Sequence, residues 1–287
     1  MATGELFAVT TRSRLRGPWL FPAMMVASLR VRRQLGHAEE VVRWASVVTA
    51  PTEFWTITVW RSRHEMQEFM RSGAHDDIMW LFSRWLRSFW LMRWRPGSAE
   101  VGTWDGLTFA PPEPEIGTQS AQELSEPLRR ALEHLPWLKA ATGSDGAATY
   151  DSTPFARRHR AEVASAGGAV VHLHTSVPGA IGGLVALSRL KRVAASHGDL
   201  LRAAIGVGRP GDAYLLCVFK SSDSARRLVE STVTARLARR WPEGFWANQW
   251  IPENEFGHWD GLRVRRTRTR HGLRLPPAAR EAAGSPG

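Results

Sequence analysis

Among the side chains of this sequence that can do chemistry, His75 has the most informative neighbours. Met66, Phe69 and Met70 make one apolar helical face, and Gly73 interrupts it. Beyond the glycine, His75, Ile78, Met79, Phe82, Leu86 and Phe89 recur at helical spacing. The periodicity sets His75 on a buried stripe near the start of a helix. Such an imidazole has two uses. It is a core histidine bonded to a backbone carbonyl, or it is a neutral ring facing an apolar pocket, which is what axial ligation of haem iron requires. Asp76 and Asp77 adjoin it, but neighbours on a helix do not face one another, so neither need be its partner.

The other candidates carry weaker signals. His172 and His174 alternate on an apolar strand and so share a face. A metal pair of this kind needs further ligands, and its own element supplies neither a carboxylate nor a third histidine. His64 follows Arg63 at a helix start and reads as solvated. Asn248, Trp250 and His258 are the polar and aromatic candidates near the end of the chain. Cys217 is the single cysteine and lies in an apolar strand, where it reads as a small core residue; it rules out a disulfide or a thiolate metal cluster. No GxGxxG following a strand, P-loop, GxSxG or HExxH is present, so nucleotide-dependent and triad chemistry have no support.

The elements that must position these residues are announced by a repeat. Trp104-Asp105-Gly106-Leu107 returns as Trp259-Asp260-Gly261-Leu262, each time two residues after a glycine (Gly102, Gly257). At an offset of 159, Val41-Val42-Arg43 meets Leu200-Leu201-Arg202, and Val59-Trp60-Arg61-Ser62 meets Val218-Phe219-Lys220-Ser221. The WDG motifs lie 155 apart, so the second copy lacks four residues in the Trp80–Arg95 region.

Each copy opens with a strand, Glu5–Thr11 or Ala169–Thr175. A helix follows, Pro22–Leu35 closed by Gly36, or Ile181–Ser196 closed by Gly198. Two strands then flank a Pro- or Gly-bearing turn: Arg43–Val48 with Glu53–Trp60, and Arg202–Val207 with Ala213–Phe219. Ser62 and Ser221 are good caps for a second helix. A last strand runs into the WDG. The class is α+β, with tandem ferredoxin-like β-α-β-β-α-β repeats whose sheets stack into a single-chain barrel. The boundaries read 1–110 for repeat one, 111–166 for a linker with one helix from Ser120 to Ala141, 167–262 for repeat two and 263–287 for a basic tail. The partner of His75 at the repeat offset is Thr234, so only one copy offers this imidazole.

Trp80, Trp85, Trp90 and Trp94 continue the pattern of the His75 helix, with Arg84, Arg87, Ser88 and Arg95 as a narrow polar stripe. A helix of that kind is core, or it meets a second copy or the surface of a membrane. The chain has 287 residues, 14 Trp against 2 Tyr, and a net charge of +11. Seven Arg and one Glu fall after residue 262, so much of the charge lies in the tail, which has a disordered composition. The strands lack the basic and aromatic alternation of an RNA-binding sheet, so no nucleic-acid partner is expected. No signal-peptide pattern opens the chain and no uncharged run reaches spanning length; the expected setting is cytoplasmic.

The run Phe54-Trp55-Thr56-Ile57-Thr58-Val59-Trp60, then Met66-Gln67-Glu68-Phe69, Ser72-Gly73-Ala74-His75 and Gly102-Thr103-Trp104-Asp105-Gly106 resembles the spheroidene monooxygenase family. Copy two adds Ile205-Gly206-Val207-Gly208 and Gly257-His258-Trp259-Asp260-Gly261. That family belongs to the dimeric α+β barrel group, with antibiotic-biosynthesis monooxygenases, aldoxime dehydratases and chlorite dismutases. The resemblance covers both copies but not the linker or tail. It implies a haem-dependent monooxygenase-like enzyme of secondary metabolism, acting on an apolar small molecule with dioxygen. His75 would be the axial ligand of a haem b iron, and Arg43, Arg71 or Arg87 would hold propionates. The resemblance departs at one place, because the family's His motif lies in the second copy and here it lies in the first. Three other readings stand beside this one: a cofactor-independent barrel monooxygenase using Asn248, Trp250 or His258, a lyase similar to haem aldoxime dehydratases, and a non-catalytic binding module for apolar metabolites or a partner enzyme.

Overall fold

The computed structural model describes residues 6–111 and 166–262, except Ser62. The linker helix expected over 120–141, the tail from Arg263 and the cap at Ser62 lie outside the described residues. Half one runs β1 (Phe7–Leu15), α1 (Phe21–Leu35), β2 (Val41–Ala50), β3 (Glu53–Trp60), α2 (Arg63–Met70), α3 (Gly73–Trp85) and β4 (Leu86–Gly102). Half two repeats the order with β5 (Gly167–His174), α4 (Ala180–Ser196), β6 (Leu200–Val207), β7 (Asp212–Phe219), α5 (Ser222–Val229), α6 (Thr232–Arg240) and β8 (Phe245–Gly257). The second helix of each half is two helices. In half two, Ser221 and Ser231 cap them by accepting from the backbone N–H of Asp223 and Thr234. The corresponding helices differ by four residues, about one helical turn, since α3 has 13 residues and α6 has 9.

One expected element is corrected. The helix through Trp94 ends at Trp85, and β4 begins at Leu86. In a strand, Trp90, Met92 and Trp94 share one face, and each is fully buried inside the barrel. Phe89 and Leu91 take the other face, beneath the helices. A strand buried on both faces gives a continuous apolar run, which periodicity alone does not tell from a buried helix. The face expected to run as one helix along Trp80–Trp94 is therefore helical only as far as Trp85, and its last two tryptophans lie in the barrel interior.

The eight strands close in the order β1-β3-β2-β6-β7-β5-β8-β4, antiparallel at every pairing. The two seams between halves differ. β4 and β8 pair from Trp90–Gly257 to Gly102–Trp246, whereas β2 and β6 meet only at Val48–Val207. Three apolar cores result. One fills the barrel lumen, and the other two lie between the outer face of each half's sheet and its helices. Among the described residues, no helix is long and apolar enough to cross a membrane.

The WDG echo has a backbone cause. Asp105 and Gly106 have φ of 49° and 82°, and Asp260 and Gly261 have 48° and 83°. Two successive positive φ values make a type I′ turn, for which Asp-Gly is a preferred pair. Trp104 and Leu107 exchange both backbone hydrogen bonds across one turn, as Trp259 and Leu262 do across the other. Each tryptophan then enters the opposite half. Trp104 packs on Trp246, His172 and Tyr214, and Trp259 on Trp55 and Trp90.

Candidate functional site

The helix–sheet layer of half one holds a cavity of about 140 Å³. Its floor is the outer face of β1, β2 and β3, and its roof is α1, α2 and α3. The floor carries hydroxyls: Thr11, Ser13, Ser46, Thr56 and Thr58. Strand register identifies their counterparts. Val9 faces Thr58 and Thr11 faces Thr56 in half one, just as Ala169 faces Cys217 and Val171 faces Leu215 in half two. The five hydroxyl positions thus correspond to Val171, Leu173, Ile205, Leu215 and Cys217, which pack into an apolar core against α4 and α5. One wall is polar above a cavity, and the other is apolar and packed.

Thr11 and Thr56 hydrogen-bond each other, and Thr58 is tied to Trp60 Nε1 at 2.8 Å. The Ser13 and Ser46 hydroxyls make no hydrogen bond among the described residues, so they are available to a ligand. The remaining lining is apolar, including Trp60, Phe69, Met70, Ile78 and Leu91.

His75 lines this cavity, as the helical stripe predicts. Gln34 of α1 fixes the turn that presents it. Its side chain accepts from His75 N at 2.9 Å and donates to Ser72 O at 2.9 Å. His75 Nδ1 lies 3.0 Å from Met70 O. A carbonyl only accepts, so Nδ1 carries the proton and Nε2 holds a lone pair. Burial pushes the imidazole pKa down from its ordinary 6.5, opposed in part by Met70 O and Asp76. The ring is neutral at pH 7, and Nε2 makes no hydrogen bond among the described residues. The structure thus joins both sequence readings: one nitrogen bonds a carbonyl, and the other is open.

The remaining candidates lie elsewhere. His172 and His174 share the carboxylate of Asp212, at 3.2 and 2.7 Å, with Arg209 on its other oxygen at 2.9 Å. The carboxylate missing from their own strand comes from the neighbouring one. Burial alone would raise the Asp212 pKa, but hydrogen bonds from His172, Arg209 and His174 outweigh it and hold the group far below the carboxylate range. Among the described residues, no group of three or more His, Cys, Asp or Glu could hold a metal ion. Burial raises the Cys217 thiol to about 12, which suits a core residue and not a nucleophile. His64 is exposed and pairs with Glu68. His258 Nδ1 accepts from Gly261 N and so braces the second WDG turn. Asn248 and Trp250 face the barrel lumen, away from the His75 cavity. Their side-chain polar atoms are buried without partners.

Three arginines expected to hold propionates lie outside the cavity. Arg43 donates to the carbonyls of Val42, Trp104 and Asp105, and Arg71 and Arg87 are exposed. The hydroxyl floor carries no signal of its own in the sequence. Alternating Thr and Ser read as an ordinary half-buried strand until the second copy is laid beside them.

No protein-family model matches the chain, and no curated protein matches it. Among solved structures, it is similar to a proposed monooxygenase from Fusobacterium nucleatum, at 6% identity and a TM-score of 0.34, over 90% of this chain and 96% of that one. A proposed monooxygenase from Lactobacillus acidophilus matches at 7% identity and 0.33, over 88% and 96%. SnoaB, a cofactor-independent oxygenase from Streptomyces nogalater, matches at 12% identity and 0.26, over 31% and 90%. These likenesses are too distant to assign a family or a reaction.

Proposed function

We propose that this chain is a monooxygenase-like enzyme for an apolar small molecule, formed from a duplicated ferredoxin-like unit, with its reaction chamber beneath α1, α2 and α3. One observation carries the reading. Half one presents five hydroxyls and an imidazole with an open nitrogen to a cavity, where half two presents aliphatic side chains, a thiol and Thr234. Interiors are close-packed, so a void floored by hydroxyls in one half and a packed apolar layer in the other point to a ligand.

His75 supports two chemistries. In the first, its Nε2 would hold a haem iron, with the Met70 carbonyl fixing tautomer and ring orientation. Bound there, a haem would supply dioxygen activation. Trp60, Phe69 and Leu91 would exclude water, and the Ser13 and Ser46 hydroxyls would orient the substrate. The donor chemistry fits. The cavity, of about 140 Å³, is smaller than a tetrapyrrole.

In the second, favoured by that volume, His75 is a general base. A cavity of roughly 150 Å³ takes a molecule the size of benzene. Nε2 removes a proton from an acidic O–H or C–H of a ring-bearing substrate, and the resulting anion gives its electrons to dioxygen. One oxygen atom enters the product and the other leaves as water, so the substrate supplies both electrons.

Hemin titration of the purified protein, followed by visible absorption, separates the two. A Soret band lost in His75→Ala supports the first. Its absence in the wild type selects the second, for which oxygen uptake with a one-ring phenol such as hydroquinone should disappear in His75→Ala. If neither signal is seen, the enzymatic reading falls and the cavity is a binding pocket.

A further inference from the structure

A second cavity, of about 310 Å³, lies beside the His75 chamber at the open seam between β2 and β6. Both halves build it: Arg32, Arg43, Trp44 and Asp105 from the first, Arg209, Asp212 and Tyr214 from the second. Leu35 and Ser46 line both cavities, so the two adjoin at these side chains.

The charges in the second cavity do not balance. Three guanidinium groups face the carboxylates of Asp105 and Asp212. Arg209 bonds Asp212 at 2.9 Å and Asp105 at 3.5 Å. Arg43 lies 3.7 Å from the Asp105 carboxylate and spends its other donors on carbonyls. Asp212 is further occupied by His172 and His174. Arg32 is left over. Its guanidinium lies over the Trp44 ring, 5.6 Å from the centroid, and it has no ion pair among the described residues. Its Nε is buried with no hydrogen-bond partner. A guanidinium beside an indole and without an ion pair keeps N–H donors for an anion, and a carboxylate is the group that guanidinium binds bidentately.

Resting on the chamber proposed above, we propose that its ligand is an aromatic acid: the apolar ring lies beneath the helices near His75, and a carboxylate reaches past Ser46 to Arg32. Neutral and cationic analogues then bind worse, because only an anion pairs with the Arg32 charge, whose Nε is buried without a hydrogen-bond partner. Tyr214, Arg43 and Arg209 line the same end of the cavity, with the two arginines already engaged by Asp105 and Asp212.

Calorimetric titration of the full chain with 4-phenylbutyrate, 4-phenylbutanol and 4-phenylbutylamine tests this. The acid should bind at least about tenfold more tightly than the alcohol, and the amine most weakly. Arg32→Met keeps the stem over Trp44 and should abolish the preference while leaving the affinity for the alcohol. Arg32→Lys should restore part of it. Equal affinities, a preference that survives Arg32→Met, or no binding of any of the three overturns the proposal. The same titration on His75→Ala should keep the acid preference. A failed oxygen-uptake or hemin experiment therefore leaves this result standing, and a lost preference leaves the enzymatic reading standing.

Discussion

His75 and Thr234 occupy the same place in the two halves, and each side chain ties back to a carbonyl at the end of the preceding helix. His75 Nδ1 reaches Met70 O at 3.0 Å, and Thr234 Oγ1 donates to Leu228 O at 2.7 Å. The structural task of the position is met by a hydroxyl, so an imidazole there adds something else. His75→Thr should therefore fold normally, with stability within about 1 kcal/mol of wild type, the worth of one neutral hydrogen bond. It should lose hemin binding or oxygen uptake entirely. Thermal unfolding and the activity measurement read the two parts separately. A variant that unfolds would show that the ring is needed for packing.

The lowered His75 pKa has a consequence for stability. The folded chain resists protonating this ring, whereas the unfolded chain takes up the proton near the ordinary value of 6.5. Protons then favour the unfolded state. The contribution of His75 is fully present above pH 6.5 and is lost as pH falls through the lower folded value. Denaturant unfolding across this range should show wild-type stability declining more steeply towards acid than that of His75→Thr. Parallel curves for the two proteins would show that His75 titrates as it does in water.

The packed layer of half two is a template for closing the chamber of half one. Ser46→Ile with Thr56→Leu installs the residues found at Ile205 and Leu215. Filling a void with buried apolar surface should raise stability by about 1 kcal/mol. The same change should abolish ligand binding and turnover, while Ser222→Ala in half two should leave function unaltered. Turnover that survives the filled variant would move the reaction site elsewhere, with the barrel lumen the next place to look.

Much of this frame is legible in the residues. The WDG echo fixes the two halves, and the β-α-β-β-α-β order follows from turn residues such as Pro51 and Pro210 and from helix stops at Gly36 and Gly198. His75 is placed by periodicity alone. What failed to show was whatever depends on pairing between distant segments. Trp90 and Trp94 fitted a helical stripe because β4 is buried on both faces. The carboxylate that serves His172 and His174 comes from Asp212, forty and thirty-eight residues away, because β5 and β7 are neighbours. The donors of Arg43 go to the carbonyls of the Trp104–Leu107 turn, more than sixty residues away, a pairing that no local pattern announces.

Gly102 and Gly257 end the last strand of each half with φ of 76°, a left-handed conformation that disfavours a side chain. A Cβ at Gly102 would meet Phe245 O at 2.0 Å, and one at Gly257 would meet Phe89 O at 2.2 Å. Each glycine thus allows the other half's β4 or β8 to pass close beside it. Gly102→Ala and Gly257→Ala should each destabilise by about 2 kcal/mol or more, combining the left-handed penalty with a backbone clash. Gly182→Ala is the control. It lies within α4 with open space around it, and alanine there should stabilise by roughly 0.5–1 kcal/mol. Melting temperatures of the three variants would check this. A neutral Gly102→Ala would mean that the crossing is looser than this geometry.

Asn248 sets the last test, because it is fully buried on the luminal face of β8 with neither Oδ1 nor Nδ2 bonded. Its neighbours on that face are Trp246 and Trp250, and the indole N–H of Trp250 is buried without a partner as well. An amide left dry in this way costs about 1–3 kcal/mol relative to water. Asn248→Leu replaces it with an apolar side chain of similar shape and adds nothing to the His75 cavity. The urea midpoint should therefore rise, by the equivalent of about 1–2 kcal/mol, with an unchanged slope. Oxygen uptake or hemin binding should be retained, since the chamber lies on the other side of the sheet. A midpoint that falls would show that the amide is satisfied by an internal water molecule. Loss of activity at unchanged stability would place the reaction in the lumen and remove the His75 chamber from the mechanism.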